Sequence, residues 1–185
     1  MTMGQGASKE NVKQFGEVFT PPFMTFQMAL APEVRDTLTD LRNATTDPCV
    51  GQGQFPATWL VLRMLYNIDR LDERTALHAL YTLYGIDIQA ESIDECKAHM
   101  LATFCDAWEF FTGREVPLEL LEFAPAIIEH NFIVGDSLND FPNCLERLGF
   151  HEEAERARAF EAEKQSGGKS KKKKPPEESR QLTLF

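Results

Sequence analysis

The sequence lacks any apolar run approaching the roughly 20 residues that a membrane-spanning helix needs. Its first ten residues, MTMGQGASKE, also lack the apolar core of a secretory signal. These two absences argue against membrane and secreted proteins. We therefore expect a soluble, cytoplasmic protein with no membrane partner.

Cysteine is sparse and without paired spacing. The four residues, Cys49, Cys96, Cys105 and Cys144, are scattered among apolar neighbours, which is typical of buried free thiols. Cys96-x-x-His99 followed by Cys105 is the only metal-like group. It lacks a fourth nearby ligand, and the same residues fit one face of a helix, so we predict no metal site.

Basic charge is scarce in most of the chain. Residues 1–163 carry 12 Lys or Arg against 27 Asp or Glu, a net −15, whereas residues 164–185 carry 7 against 2, a net +5. The larger part contains no basic run, and an acidic globule repels the phosphate backbone of DNA unless its basic residues gather on one face. We expect the folded part alone to bind DNA poorly.

Enough apolar sequence is present for one core, because 43% of the 185 residues are hydrophobic. Residues 47–55 (DPCVGQGQF) separate a predicted strand that ends at residues 44–46 from a predicted apolar helix over residues 57–66. Glycine at 51 and 53 has no Cβ, so a ligand can approach the main chain and the helix N-terminus. The pattern predicts that this loop forms the bottom of a binding site for a nucleotide-like ligand.

Three further stretches complete a set: residues 16–21 (GEVFTP), 84–88 (YGIDI) and 131–138 (NFIVGDSL). With residues 47–55, their order and spacing resemble the S-adenosylmethionine-binding half of DNA methyltransferases that modify the exocyclic amino group of adenine. The resemblance covers about residues 15–138. It implies an α/β, Rossmann-like methyltransferase fold. This chain has Cys49-Val50 and Gln52 where the family usually has a small residue and serine.

The resemblance also implies a cofactor, S-adenosylmethionine, and a set of residues to bind it. In the family the Phe-Thr-Pro stretch touches the cofactor from above, the second strand ends in an acidic residue at the ribose, and the third is followed by an acidic residue at the adenine amino group. The corresponding residues are Phe19, Thr20, Pro21, Asp47, Gly51, Gly53, Phe55, Asp87, Ile88 and Asp136.

Two of these positions have alternative interpretations. Asp87 accepts two hydroxyl hydrogen bonds in the ribose interpretation, but it could instead cap the helix that follows. Residues 135–138 (GDSL) also spell the nucleophile block of certain lipase-like hydrolases. That block lies near the N-terminus of such domains and needs a later Asp-x-x-His pair, whereas the only later histidine here is His151, with no such aspartate.

A catalytic motif is missing. After Leu138 a complete enzyme of this family supplies a fourth strand ending in [NDS]-P-P-[YFW], which holds the target amine and stacks on the flipped base. Residues 20–23 (TPPF) imitate this tetrapeptide but precede the first predicted strand. We predict no catalytic residue in this chain and no activity when it is isolated.

The incomplete set of strands has a structural consequence. Three parallel strands in the order 3-2-1 would leave strand 1, normally central, as an open edge. We expect a second methyltransferase chain carrying the remaining strands, a homodimer partner or the C-terminal helix to cover it.

Further helices are predicted over residues 23–30, 34–41, 72–83, 91–111, 118–128, 141–150 and 151–164, and the third strand over residues 132–134.

The C-terminal tail is the second informative stretch. Residues 165–180 form a basic, proline-broken linker, and the chain ends in QLTLF. This ending resembles the peptide by which bacterial polymerases and repair proteins dock on the sliding clamp. Gln181 would anchor one subsite while Leu182, Leu184 and Phe185 fill an apolar cleft. The alternative is a hydrophobic end that packs back on the domain.

These patterns predict four segments: a disordered N-terminus (1–14), a methyltransferase-like cofactor-binding domain (15–164), the basic linker (165–180) and the clamp-binding-like peptide (181–185). The expected function is adenine methylation of DNA with catalytic parts supplied by another chain, and DNA is reached through that chain or the clamp. The rival hypothesis is a noncatalytic adaptor or inhibitor that binds the clamp.

Overall fold

The computed structural model describes residues 20–165 and 183–184, which form an α/β structure rich in helix. The strands are β1 (Thr45–Asp47), β2 (Leu83–Asp87), β3 (Phe132–Val134) and β4 (Thr183–Leu184). The helices are α1 (Pro22–Ala29), α2 (Pro32–Thr39), α3 (Gln54–Tyr66), α4 (Glu73–Tyr81), α5 (Ala90–Thr112), α6 (Leu118–Asn131), α7 (Phe141–Arg147) and α8 (His151–Gln165), with a 3₁₀ turn at Ile68–Arg70. The predicted elements are confirmed to within a few residues at their ends.

All pairings in the sheet are parallel, in the order β3-β2-β1-β4. Thr46 lies opposite Tyr84, and Ile86 opposite Ile133. Helices α3 and α4 connect β1 to β2, while α5 and α6 connect β2 to β3, the crossover arrangement that parallel strands require. The α/β class and the small parallel sheet of the prediction are therefore confirmed, and the sheet is consistent with the predicted incomplete one.

The outer edge of β1 pairs with β4, so that Thr45 lies opposite Thr183 and Thr46 opposite Leu184. Sequence analysis expected another chain, a homodimer partner or the C-terminal helix at this edge. Two residues of the C-terminal tail lie there instead, which agrees with the alternative that the hydrophobic end packs back on the domain. Several predicted parts lie outside the described residues: the N-terminal segment (1–14), residues 15–18, Phe19, residues 166–180 of the linker, and Gln181, Leu182 and Phe185.

The main core lies between the sheet and the helices of the two crossovers. Helix α3 is buried over most of its surface, as expected for a helix that is apolar nearly all round. Trp59 from α3 and Phe104 and Trp108 from α5 are at most 2% exposed. Each such aromatic side chain buries a large apolar area, so these residues dominate the stability of the core. The core thereby fixes α3, and with it the glycine loop that precedes α3.

A buried arginine in α3 joins the elements around β1. Arg63 is fully buried and donates to the backbone carbonyls of Leu38 (2.8 Å) and Asn43 (2.9 Å) and to the hydroxyls of Thr45 (2.8 Å) and Thr82. Burial lowers the pKa of the Arg63 guanidinium to about 9. Since its donors are satisfied, the charge is tolerated and the network fixes the start of β1.

A smaller apolar cluster covers the other face of the sheet. Tyr84 and Ile86 from β2 pack with Cys144 and Leu148 at α7, and the rings of Tyr84 and Phe150 meet edge to face at 4.7 Å. Helix α7 and the residues that lead into α8 therefore pack on this face of the sheet. Within residues 20–165, no helix is long and apolar enough to cross a membrane.

The four cysteines are free, as predicted, but their burial differs. Cys96 and Cys144 are buried and Cys105 is half-buried, whereas Cys49 is exposed. The expectation of burial was wrong for Cys49 because this residue lies in the loop after β1, outside the core.

Candidate functional site

The loops that follow the three longer strands are hydrogen-bonded to one another. The amide of Gly51 donates to Asp87 Oδ2 at 2.9 Å, and the amide of Gly135 donates to the Asp87 carbonyl at 2.8 Å. The hydroxyl of Ser137 donates to the carbonyl of Pro48. The carboxyl ends of parallel strands meet at one edge of a sheet, which is where open α/β sheets bind ligands. The predicted loop, ribose and adenine positions thus lie at one edge.

The two glycines of the loop serve different needs. Both adopt a positive φ, 51° at Gly51 and 85° at Gly53. Among the described residues, a Cβ added at Gly53 would lie 2.7 Å from Cys96 Sγ on α5, whereas one at Gly51 would meet nothing within 4 Å. Gly53 is therefore required by helix packing, while the surface above Gly51 is open to a ligand.

The first turn of α3 contributes the backbone amides of Gln54 and Phe55 to this edge, whereas Pro56 has no N–H. Gly53 is its N-cap residue, no side chain in the described part of the chain caps it, and its first turn contains no acidic residue. The opening amides of a helix carry partial positive charge and attract anionic groups. A carboxylate of a ligand would find donors there without competition from a protein carboxylate in that turn.

Asp87 is the best-placed predicted side chain. It is the last residue of β2, and its two oxygens accept from the amides of Gly51 and Gln89, both at 2.9 Å. An ionised carboxylate has about four acceptor sites, so both oxygens can still accept ligand hydroxyls. The residue at the N-cap of α5 is Gln89 rather than Asp87. The helix-capping alternative for Asp87 is therefore wrong.

Asp47 is a buried residue that accepts a hydrogen bond from the loop. It is 8% exposed, and its Oδ1 accepts from the Cys49 amide at 3.0 Å. Burial raises the pKa of Asp47 to about 6, and the charge of Asp87 adds to the rise, while the Cys49 amide opposes it. Phe55 is half-buried and its ring lies 5.9 Å from that of Trp59, within the core side of α3. Asp47 and Phe55 therefore stabilise the loop from the side that packs on the rest of the domain.

Asp136 lies two residues after β3 and organises its own turn. Its Oδ1 accepts from the amides of Leu138 and Asn139, both at 3.0 Å, and its Oδ2 accepts from Asn139 Nδ2 at 2.8 Å. These hydrogen bonds from Asn139 and Leu138 lower the pKa of Asp136, so it stays ionised. The neighbouring Ser137 hydroxyl donates to a backbone carbonyl, an arrangement that does not activate a hydrolase nucleophile.

Sequence analysis missed two contributors to this edge, His99 and Leu138, whereas Ile88 was predicted. His99 Nδ1 lies 3.0 Å from the carbonyl of Gln52, so α5 holds the glycine loop from its far side. The spacing of Cys96 and His99, which sequence analysis considered as metal-like, could have predicted this contact. Both side chains face the loop from adjacent turns of α5. Leu138 is 87% exposed and Ile88 58%, which leaves apolar surface after β3 and β2.

The residues before α1 are placed by that helix. Thr25 Oγ1 lies 2.6 Å from Thr58 Oγ1, which fastens α1 to the first turns of α3. Thr20 and Pro21 are half-buried, and the Pro21 carbonyl accepts the opening amides of α1. Residues 20–23 therefore form the entrance to a helix rather than the end of a strand.

A cavity of about 770 Å³ lies away from this edge. Its lining comes from residues before β1, from the end of α3 and from the start of α4, and none of the predicted site residues takes part. The lining residues are Asp36, Thr39, Asp40, Leu41, Arg42, Tyr66, Arg70, Arg74, Thr75 and His78. Arg42 is paired with Asp40, and their ion pair lowers the pKa of Asp40 to about 2, so part of the basic charge is neutralised within the lining.

Comparisons of the chain with protein-family models, with curated proteins and with solved structures yield no significant match. The resemblance to adenine methyltransferases rests on the four motifs alone. In residues 20–165, no group of three or more His, Cys, Asp or Glu side chains is arranged to hold a metal ion.

Proposed function

We propose that this chain is the S-adenosylmethionine-binding part of an adenine-specific DNA methyltransferase whose catalytic parts come from another chain. The observation that carries the proposal is the junction between Gly51 and Asp87. There an open glycine, an uncapped helix N-terminus and a carboxylate with spare acceptor sites lie together. These three features suit the carboxylate and ribose of a nucleoside carrying an amino-acid group.

The residues present fit this cofactor. Asp87 would accept the ribose hydroxyls, and the first amides of α3 would receive the carboxylate of the methionine part. The exposed side chains of Ile88 and Leu138 would cover the two faces of the adenine ring, and Asp136 would accept from its amino group. When bound, the cofactor would supply an activated methyl group.

The missing base-holding tetrapeptide assigns the remaining chemistry to a partner. In the described residues, TPPF lies at the start of α1, and Phe23 is 63% exposed. Methyl transfer needs the amine and the methyl carbon held in line, and nothing in this chain corresponds to the family's residues that hold the amine. A second methyltransferase chain would supply those residues and most of the DNA contacts.

A noncatalytic adaptor is the second candidate. It is favoured by the pairing of Thr183–Leu184 with β1, since this chain closes with its own tail the edge that a partner's strand would extend. Such a protein would retain the fold and act through its C-terminal peptide on the bacterial sliding clamp.

Calorimetry with S-adenosylmethionine tests the first proposal. We expect the purified chain to bind the cofactor with a one-to-one stoichiometry and to transfer no labelled methyl group to DNA by itself. Absence of heat at millimolar cofactor, with the chain folded by circular dichroism, would contradict the cofactor assignment. Methyl transfer by the pure chain would contradict the proposal that another chain supplies the catalytic residues.

Fluorescence anisotropy tests the clamp peptide. A labelled peptide of residues 175–185 should bind bacterial sliding clamp, and Leu184→Ala with Phe185→Ala should abolish binding because two buried apolar side chains are lost. Equal anisotropy for both peptides across the titration would remove the clamp from the list of partners.

A further inference from the structure

The edge of β1 is a strand-accepting surface, and its occupant comes from the same chain. Thr183 and Leu184 pair with Thr45 and Thr46 in parallel. All three residues of β1 are buried, with Asp47 the most accessible at 8%. Thr183 and Leu184 also lie inside the QLTLF sequence proposed to bind the clamp. One short segment therefore has two possible docking surfaces.

We propose that Thr183–Leu184 hold the C-terminal peptide on β1 and must leave that edge before the peptide can bind a partner protein. The proposal rests on the proposed function for its partner, the sliding clamp. Peptides in extended conformation dock through their backbone and alternate side chains. The backbone of Thr183–Leu184 cannot pair with β1 and lie in an external cleft at the same time. The two docked states exclude each other.

We call the conformation with Thr183–Leu184 paired with β1 the stored state, and we expect this pairing to be reversible. A two-residue strand forms few backbone hydrogen bonds, and part of their benefit is offset by the conformational entropy lost when the segment is ordered. The covalent tether favours the pairing by keeping the local concentration of the peptide high. If nine tenths of the molecules hold the peptide on β1, the apparent affinity of the full chain for the clamp falls about tenfold below that of the free peptide.

Coupling of this kind is reciprocal. A partner that takes the tail uncovers β1, and a chain that adds its own strand to β1 releases the tail. For a methyltransferase assembled from two chains, completion of the sheet would free the clamp-binding peptide. Only the assembled enzyme would then be recruited efficiently to the clamp.

One backbone amide reports on the stored state. The Thr45 amide donates to the Thr82 carbonyl at 2.9 Å, toward β2. Because successive amides of a strand point to opposite edges, the Thr46 amide faces β4. Hydrogen exchange at Thr46 therefore follows the pairing with the tail, and exchange at Thr45 serves as an internal control for the body of the domain.

The first experiment measures amide exchange by NMR in the full chain and in its Thr183→Pro/Leu184→Pro variant. Proline has no amide proton, so the double change removes whichever amide of β4 points toward β1. With nine tenths of the molecules paired, we expect exchange at Thr46 to be up to about tenfold faster in the variant, with Thr45 unchanged. Equal Thr46 exchange in the two proteins overturns the stored state, whether or not the clamp binds.

The second experiment titrates the full chain with sliding clamp. Thr46 should lose protection as the clamp saturates, and the full chain should bind about tenfold more weakly than the free peptide. The Leu184→Ala/Phe185→Ala chain should show no response to the clamp. Two results would show that clamp binding and pairing with β1 do not exclude each other. One is unchanged Thr46 exchange in a clamp-bound chain, and the other is equal clamp affinity for the full chain and the free peptide. If the clamp binds neither, the clamp is the wrong partner, while cofactor calorimetry still tests the methyltransferase assignment separately.

Discussion

The amide of Gly51 donates a 2.9 Å hydrogen bond to Oδ2 of Asp87, which joins the loop after β1 to the end of β2. The same carboxylate accepts from Gln89 through its other oxygen. Asp87 therefore fixes the glycine loop through these hydrogen bonds and retains spare acceptor sites. If Asp87 also contacts the proposed cofactor, its replacement should weaken cofactor binding in addition to removing these hydrogen bonds to the loop.

The first prediction concerns Asp87. Asp87→Ala should weaken binding of S-adenosylmethionine by about 1.5–3 kcal/mol, because hydrogen bonds to a charged acceptor are lost. Calorimetry at constant temperature and salt measures the change. Asp94→Ala, at an exposed position of α5, is the matched control and should leave the affinity unchanged. Equal affinities for Asp87→Ala and the parent would remove Asp87 from the cofactor site.

The second prediction separates the two glycines. Gly51→Ala should cost about 1–2 kcal/mol of stability, the penalty of a left-handed backbone conformation. Gly53→Ala should cost about 1–3 kcal/mol more, because its Cβ would overlap Cys96 Sγ. Urea denaturation measures both values.

A double-mutant cycle isolates the steric part of the Gly53 effect. Adding Cys96→Ala to Gly53→Ala should recover about 1–3 kcal/mol relative to additivity, whereas adding it to Gly51→Ala should recover nothing. Additive effects in the Gly53 pair would show that Cys96 is not the residue that excludes a side chain there.

Much of this edge was predictable from sequence because its geometry follows from strand ends. Asp87 ends a short apolar strand, and Gly51 follows another, so parallel pairing alone places them together. The contact between Gly53 and Cys96 was not predictable, since it depends on how closely α5 approaches the loop. Arg63 gave no signal either. A charge in an apolar helix commonly lies on its solvent face, and only the packed structure shows which acceptors surround it.

The third prediction concerns pH and Asp47. Burial raises the pKa of Asp47 in the folded protein to about 6, above its value in the unfolded chain. The folded state therefore binds the proton more tightly, and the contribution of Asp47 to stability falls as pH rises from about 4 to 6. Above pH 6 the buried charge costs about 2–3 kcal/mol. Asp47→Asn should therefore raise the free energy of unfolding at pH 8 and give little change near pH 4.

Asp136 provides the contrasting case for the same measurement. Hydrogen bonds from Asn139 and Leu138 lower the pKa of Asp136, so its contribution is present at neutral pH and is lost as the pH falls through its folded value. Asp136→Asn should thus change the pH dependence in the opposite direction from Asp47→Asn. Thermal unfolding of the parent and both variants between pH 3 and pH 8, about the range of both titrations, measures the slopes. Parallel slopes for the two variants would contradict the assignment of Asp47 as a buried, uncompensated carboxyl.

The last prediction compares adjacent threonines of β1 that differ only in their partners. Thr45 Oγ1 accepts from Arg63 Nη2 at 2.8 Å, whereas Thr46 Oγ1 is buried and has no hydrogen-bond partner among the described residues. Valine keeps the branched shape and the strand preference of threonine and removes the hydroxyl. Thr45→Val should cost about 1.5–3 kcal/mol because a buried guanidinium loses an acceptor, while Thr46→Val should stabilise by about 1 kcal/mol because an unsatisfied hydroxyl is removed. Urea midpoints at equal m-values measure both changes. A loss of stability in Thr46→Val similar to that in Thr45→Val would mean that the Thr46 hydroxyl has a partner in solution.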